Sequence, residues 1–277
     1  MWQLRTRRLD LSAGPLLMGI VNVTPDSFSD GGKFFEPAAA VDRALQLENE
    51  GADILDVGAE STRPESDGVS ADEELRRVVP VLEALCGQTK LPVSIDTSKS
   101  QVAREAVAAG VEIINDVTGL EGDGEMVRVA VDSSVGVCAM HMQGTPRTMQ
   151  DSPAYEDVVE DIFKYLARRR DALQAAQIDP KRICLDPGIG FGKTHRHNLT
   201  LIAHCNRFHE LGCPIMIGPS RKGFIGKVLG SANVDRTAGT VGVALALARQ
   251  GVQIVRVHDV LPVRDALRLF EASGGMD

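Results

Sequence analysis

No apolar run in the 277-residue chain approaches the roughly 18 residues that a membrane span needs. The opening MWQLRTRRLDLSAG also lacks the apolar stretch of a secretory leader. A cytoplasmic protein without a membrane partner is expected. Cysteine is sparse, and its pattern offers no pairing: Cys86, Cys138, Cys184, Cys205 and Cys213 are odd in number and contain no C-x-x-C. They read as small buried hydrophobes in a reducing compartment, which disfavours both a disulfide framework and a zinc site. His195-Arg-His197 by itself reads as a solvated loop rather than a metal site. Positive charge is in deficit, with 30 Lys and Arg against 38 Asp and Glu, so the net charge of -8 would repel the phosphates of a nucleic acid. The Walker spacing G-x-x-x-x-G-K-[ST] is absent. No composition break or linker appears either, so residues 1–277 are expected to form a single domain.

What the chain does have is a recurring unit. A short apolar run ends in one polar group, a loop follows, and a helical segment leads to the next run. The runs are Leu16–Thr24, Ala52–Ala59, Pro92–Thr97, Glu112–Val117, Val135–His141, Ile183–Asp186, Cys213–Gly218 and Gln253–Val257. Between them the spacing predicts helices that include 38–50, 98–109 and 155–177, and one from Ser70, as cap with Glu73, through Leu85; another follows the last run, over 262–272. Eight parallel strands with helical crossovers close into a (β/α)8 barrel, which typically takes about 250 residues. An open doubly wound sheet would use the same order of elements.

Side chains two apart on a strand share a face, so phase can be read directly. One face carries Met18, Ile20 and Asn22 in the first strand, Ser94 and Asp96 in the third, and Ile113 and Asn115 in the fourth. The later strands add Cys184 and Asp186, then Met216, Gly218 and Ser220, then Ile254, Arg256 and His258. Singly, Asn22 or Asn115 reads more simply as a satisfied core amide. On one rim together, such groups would be costly to bury without a ligand or a network. Asp96, Asn115 and Asp186 suit a flat heterocycle with N–H donors, and Arg256 and His258 beside Asn22 suit a phosphate or pyrophosphate. GPSRKGFIG (218–226) turns from the seventh strand into a helix, whose start would favour an anion near Ser220, with Lys222 aimed inward. The plainer reading leaves Arg221 and Lys222 solvated. In ICLDPGIGFGK (183–193), Gly188, Gly190 and Gly192 are expected to let backbone approach a ligand.

NVTPDSFSDGG (22–32), ESTRP (60–64), SIDTSK (94–99), INDVTG (114–119), MHMQGTPRTMQ (140–150), LDPGIGFGK (185–193), SRKGFIG (220–226) and RVHDV (256–260) run through the chain in order. On these pieces the sequence resembles the bacterial dihydropteroate synthases, folate-pathway enzymes of the pterin-binding family. The resemblance implies condensation of 6-hydroxymethyl-7,8-dihydropterin pyrophosphate with p-aminobenzoate, assisted by Mg2+, in a homodimer. It assigns the chemistry to Asp96, Asp186 and Lys222. Asp96, Asn115, Met140, Asp186, Gly218 and Lys222 would hold the pterin. Asn22, Thr62, Arg256 and His258 would hold pyrophosphate, with Asn22 as the Mg2+ ligand. Phe28, Arg63, Pro64, Phe191, Ser220 and Lys222 would border the p-aminobenzoate slot, and loops 24–36 and 61–70 would close over it. Two rivals are a methyltetrahydrofolate:corrinoid methyltransferase type of barrel, which has no pyrophosphate to bind, and a catalytically silent pterin-binding paralogue.

Overall fold

Apolar, largely β-branched runs become the strands, and each stops where a proline, a glycine or a polar group breaks the pattern. A computed structural model describes residues 1–24, 37–60, 68–231 and 233–276. A short hairpin of β1 (Trp2–Gln3) and β2 (Arg8–Leu9) comes first, followed by β3 (Leu16–Asn22), α1 (Pro37–Asn49), β4 (Ile54–Gly58) and α2 (Ala71–Cys86). Next are β5 (Val93–Asp96), α3 (Ser100–Ala108), β6 (Ile113–Asp116), α4 (Met126–Ser133), β7 (Gly136–Met140) and α5 (Val158–Ala175). The last part holds β8 (Ile183–Asp186), α6 (His195–Ala203), β9 (Met216–Ile217), α7 (Gly223–Val228), α8 (Thr237–Arg249), β10 (Ile254–Val257) and α9 (Val260–Ala272).

The eight long-range strands lie in the order β8-β7-β6-β5-β4-β3-β10-β9, and every neighbouring pair is parallel. A parallel bridge from Leu185 to Ile215 joins the two ends, and Leu185 N–H donates to Pro214 O at 2.9 Å. That closure decides between the two sheets left open above: the fold is the (β/α)8 barrel. Outward-facing Leu17, Val57, Ile95, Val137, Leu185 and Val255 pack against the helices. In α2 the buried Val78, Val81, Leu82 and Leu85 fall on one helical face.

Some local expectations change. Ser70 does cap α2, its Oγ accepting from Glu73 N–H at 3.2 Å, but the Glu73 carboxylate turns to Arg76 and Arg77. His195 and His197 open α6 rather than lying in a loop, and His197 forms a capping box with Thr194. The seventh barrel strand shrinks to Met216–Ile217.

The largest difference is at the N-terminus, where the sequence pattern predicts no element. Trp2 and Leu4 are buried across the amino-terminal mouth of the barrel, against Met18, Ile54, Ile113, Cys138, Cys184, Met216 and Ile254. Trp2 Nε1 donates to Arg182 O at 2.9 Å. The nearby arginines secure the hairpin, Arg5 through Val107 O at 2.8 Å and Arg7 through Glu112 at 2.8 Å.

Candidate active site

Two residues beyond that apolar floor, the same inward-facing positions turn polar. Pleating makes this automatic: Ile54 is followed on its face by Asp56, Ile113 by Asn115, Cys184 by Asp186, and Ile254 by Arg256. Register sets them side by side. Asp56 is level with Ser94, Asp96 with Asn115, and Met140 with Asp186. The site therefore sits at the carboxyl ends of the strands, where βα loops carry the chemistry of barrel enzymes.

Arg256 organises one side. Its Nε donates to Asp56 Oδ2 at 2.6 Å, and its Nη2 donates to Asp96 Oδ2 at 2.6 Å. Asn115 Nδ2 donates to the same Asp56 oxygen at 3.1 Å. Asp56 is fully buried. Sequence reading passed over this residue, although its phase with Ile54 and Gly58 was visible in ADILDVGA. Burial pushes the Asp96 carboxyl up, to about 7, against the pull of Arg256 and with a further push from Asp56.

Asp186 and Lys222 form the other side. Asp186 Oδ1 accepts from Gly188 N–H at 2.6 Å, and burial raises its proton affinity while Gly188, Lys222, Lys193 and Arg256 oppose that shift. Lys222 caps α7. Its ammonium donates to Ile189 O and lies 4.3 Å above the Phe191 ring. Burial lowers Lys222 to about 8, with Asp186 pulling the other way. Ser220 is buried, and its Oγ accepts from His258 N–H at 3.2 Å and lies 3.0 Å from His258 Nδ1. Gly218 faces the Arg256 side chain, which a Cβ would meet at 3.7 Å. Asn22 ends β3 level with Gly58, whose own neighbour is Asp96.

The structure thus gathers Asn22, Asp96, Asn115, Met140, Asp186, Phe191, Gly218, Ser220, Lys222, Arg256 and His258 at one end of the barrel. Phe28, Thr62, Arg63 and Pro64, with most of both closing loops, lie outside the described residues. One expectation is corrected. Gly188 gives way to protein rather than ligand: it has φ +70°, and a Cβ there would come within 2.0 Å of His141 O, while one on Gly192 would meet Gln143 O at 2.5 Å. These glycines let the loops after β7 and β8 interlock.

A second missed residue sits in that junction. Lys193 is almost wholly buried, with Nζ donating to Phe191 O at 2.8 Å and lying 3.1 Å from His141 Nδ1. Burial lowers Lys193 well below its ordinary range and, with Lys193 adjacent, brings His141 down to about 3. The neutral imidazole can then accept from the lysine. A lysine in a glycine-rich loop looks solvated in sequence, and only the fold turns it inward.

The model of the family described as pterin binding enzyme matches residues 18–258. The chain is similar to the dihydropteroate synthase of Neisseria meningitidis serogroup B, with 48% identity over 266 residues, covering 94% of this chain and 93% of the relative. It is similar to a Yersinia pestis dihydropteroate synthase solved with a sulfonamide drug complex, with 42% identity, TM-score 0.92, and coverage of 99% and 98% of the two chains. A Xanthomonas albilineans dihydropteroate synthase solved with 4-aminobenzoic acid gives 46% identity, TM-score 0.89, and coverage of 96% and 95%. A Xanthomonas albilineans dihydropteroate synthase solved in complex with 7,8-dihydropteroate gives 44% identity, TM-score 0.87, and coverage of 97% and 97%.

Proposed function

The chain belongs to the pterin-binding enzyme family, and on that premise we propose that it is a dihydropteroate synthase, a transferase of folate biosynthesis. It condenses 6-hydroxymethyl-7,8-dihydropterin pyrophosphate with p-aminobenzoate, giving 7,8-dihydropteroate and pyrophosphate. The observation that carries this reading is the gathering of three acceptor groups, Asp96, Asn115 and Asp186, with the cations Lys222 and Arg256 on one rim. The relatives solved with 4-aminobenzoic acid and with 7,8-dihydropteroate support both small molecules as ligands here.

Cleaving the C–O bond sends an electron pair to the departing pyrophosphate and leaves a methylene cation conjugated with the dihydropterin ring. Asp96 and Asp186 hold the ring's N–H groups and stabilise its positive charge, and Met140 packs against the ring. Arg256 and His258 face the leaving group, to which the resemblance also assigns Thr62. The aniline nitrogen of p-aminobenzoate then attacks the methylene carbon and loses a proton. Its carboxylate is anchored beside Ser220, and Phe191 and Lys222 border the ring; the resemblance assigns Phe28, Arg63 and Pro64 to the same ligand. Oriented in this way, the amine needs little further activation.

Mg2+ fits this donor set. It prefers oxygen ligands, retains waters, and commonly takes only one or two protein groups beside substrate phosphates. Asn22 offers a carboxamide oxygen at the end of β3, and among the described residues no cluster of three or more His, Cys, Asp or Glu forms a cage. When bound, the ion supplies neutralisation of the developing pyrophosphate charge. We take residues 1–277 as one pterin-binding domain, acting in the cytoplasm as a homodimer. Among the described residues no helix is long and apolar enough to cross a membrane.

Pyrophosphate release from the dihydropterin substrate tests the reaction and its order. Rapid release with p-aminobenzoate and slower, measurable release without it are expected, because the bond breaks before the amine attacks. A strict requirement for the amine would overturn the cation-first order, and no release in either case would overturn the synthase reading.

A further inference from the structure

We propose that Asp56 is a positioning residue that fixes which end of the Asn115 amide meets the pterin, and so sets the site's preference for N–H donors. The proposal rests on the synthase reading above. An ionised carboxylate can only accept hydrogen bonds. Asp56 Oδ2 therefore draws the Nδ2 end of Asn115 toward itself at 3.1 Å, which leaves the carbonyl oxygen as the end that Asn115 can present to a ligand. The same oxygen accepts from Arg256 Nε at 2.6 Å, so the carboxylate that faces Asn115 is also the partner of a guanidinium.

Two features say that this charge serves recognition rather than the fold. Asp56 is fully buried, so it acts through its neighbours. Its second oxygen, Oδ1, is buried and has no hydrogen-bond partner among the described residues, an arrangement that weakens a barrel rather than strengthening it. An unconstrained Asn115 can rotate by half a turn and present two N–H donors to the donor edge of the ring. A fixed one presents an acceptor, and discrimination of this kind is strong because mismatched donors are left unpaired.

Asp56→Asn is close to isosteric, removes the charge, and gives residue 56 an amide that can donate to Asn115, releasing the constraint. Binding is measured with 6-hydroxymethylpterin, which carries no pyrophosphate, so the anion-holding role given to Arg256 does not enter. Affinity is expected to fall about tenfold or more in D56N and in Asn115→Ala, and the double variant is expected to bind no worse than N115A alone. KM for p-aminobenzoate stays within about twofold, since only one substrate's edge is affected. Wild-type affinity in D56N, or losses that add in the double variant, would overturn the proposal.

A measurement on the unmodified protein does not depend on the variant folding. With 15N-labelled asparagine, the Asn115 side-chain amide protons should already be protected from exchange before ligand is added and remain so afterwards. Unprotected protons that become protected only with pterin would place the NH2 end on the ligand and overturn the idea. A wild-type protein that ignores 6-hydroxymethylpterin would overturn this proposal together with the synthase reading, whereas pterin binding with the wrong variant pattern would overturn the role of Asp56 alone.

Discussion

The two ends of the barrel interior are made by the same strands, and they are opposite in kind. At the amino-terminal end Met18, Ile54, Ile113, Cys138, Cys184, Met216 and Ile254 close on Trp2 and Leu4 as a dry apolar floor. One pleat further on stand Asp56, Asp96, Asn115, Asp186 and Arg256; charge-assisted bonds join all but Asp186, and one buried Asp56 oxygen has no partner among the described residues. The floor contributes stability through burial, whereas the rim gives some of it up for charge placement. Because a 3.3 Å rise per residue separates the two layers by only about 7 Å, a barrel can keep both at once.

The comparison breaks most visibly at Trp2. Replacing this fully buried side chain in Trp2→Ala removes both the plug and the bond to Arg182, and is expected to cost about 3–5 kcal/mol in urea unfolding. The folded fraction should retain wild-type kcat/KM. A matching loss of activity per folded molecule would mean that floor and rim are not separable.

Lys222→Ala makes the complementary break. Condensation should fall by about 10²–10³-fold, the scale for losing one pre-placed charge-stabilising group, with thermal unfolding near wild type. Wild-type turnover would remove Lys222 from the chemistry.

The smallest effect is the sharpest. Burial holds Lys222 near 8 against its ordinary 10.5, so its positive charge is lost as pH rises through about 8, and kcat/KM should decline there. The stability effect has the opposite sign. Between about 8 and 10.5 the unfolded chain binds more protons than the folded one, so this group makes the fold more stable as pH rises across that window. Lys222→Arg keeps its charge throughout and should remove the basic limb from the rate profile, whatever its absolute rate. A limb that persists in K222R belongs to another group.

Much of this was legible in the sequence, for definite reasons. Period-two phase set Asn22, Asp96, Asn115, Asp186 and Arg256 on one face, and the fold needed only closure to bring them round one mouth. Asp56 was just as legible by phase. What sequence did not reveal was that a carboxylate flanked by Leu55 and Val57 would meet Arg256, 200 positions away. The hairpin was hidden because two-residue strands have no period to read. Lys193 was hidden because its burial depends on His141, which arrives from another loop.

The contact between Trp2 and Arg182 also has a temporal side. The indole leaves the ribosome well before the carbonyl it binds, which is made 180 residues later. A growing chain therefore carries this aromatic without its partner until Arg182 has been made. Sealing the bottom of the cylinder is a late event in folding, because it waits on a loop closure that spans 180 residues.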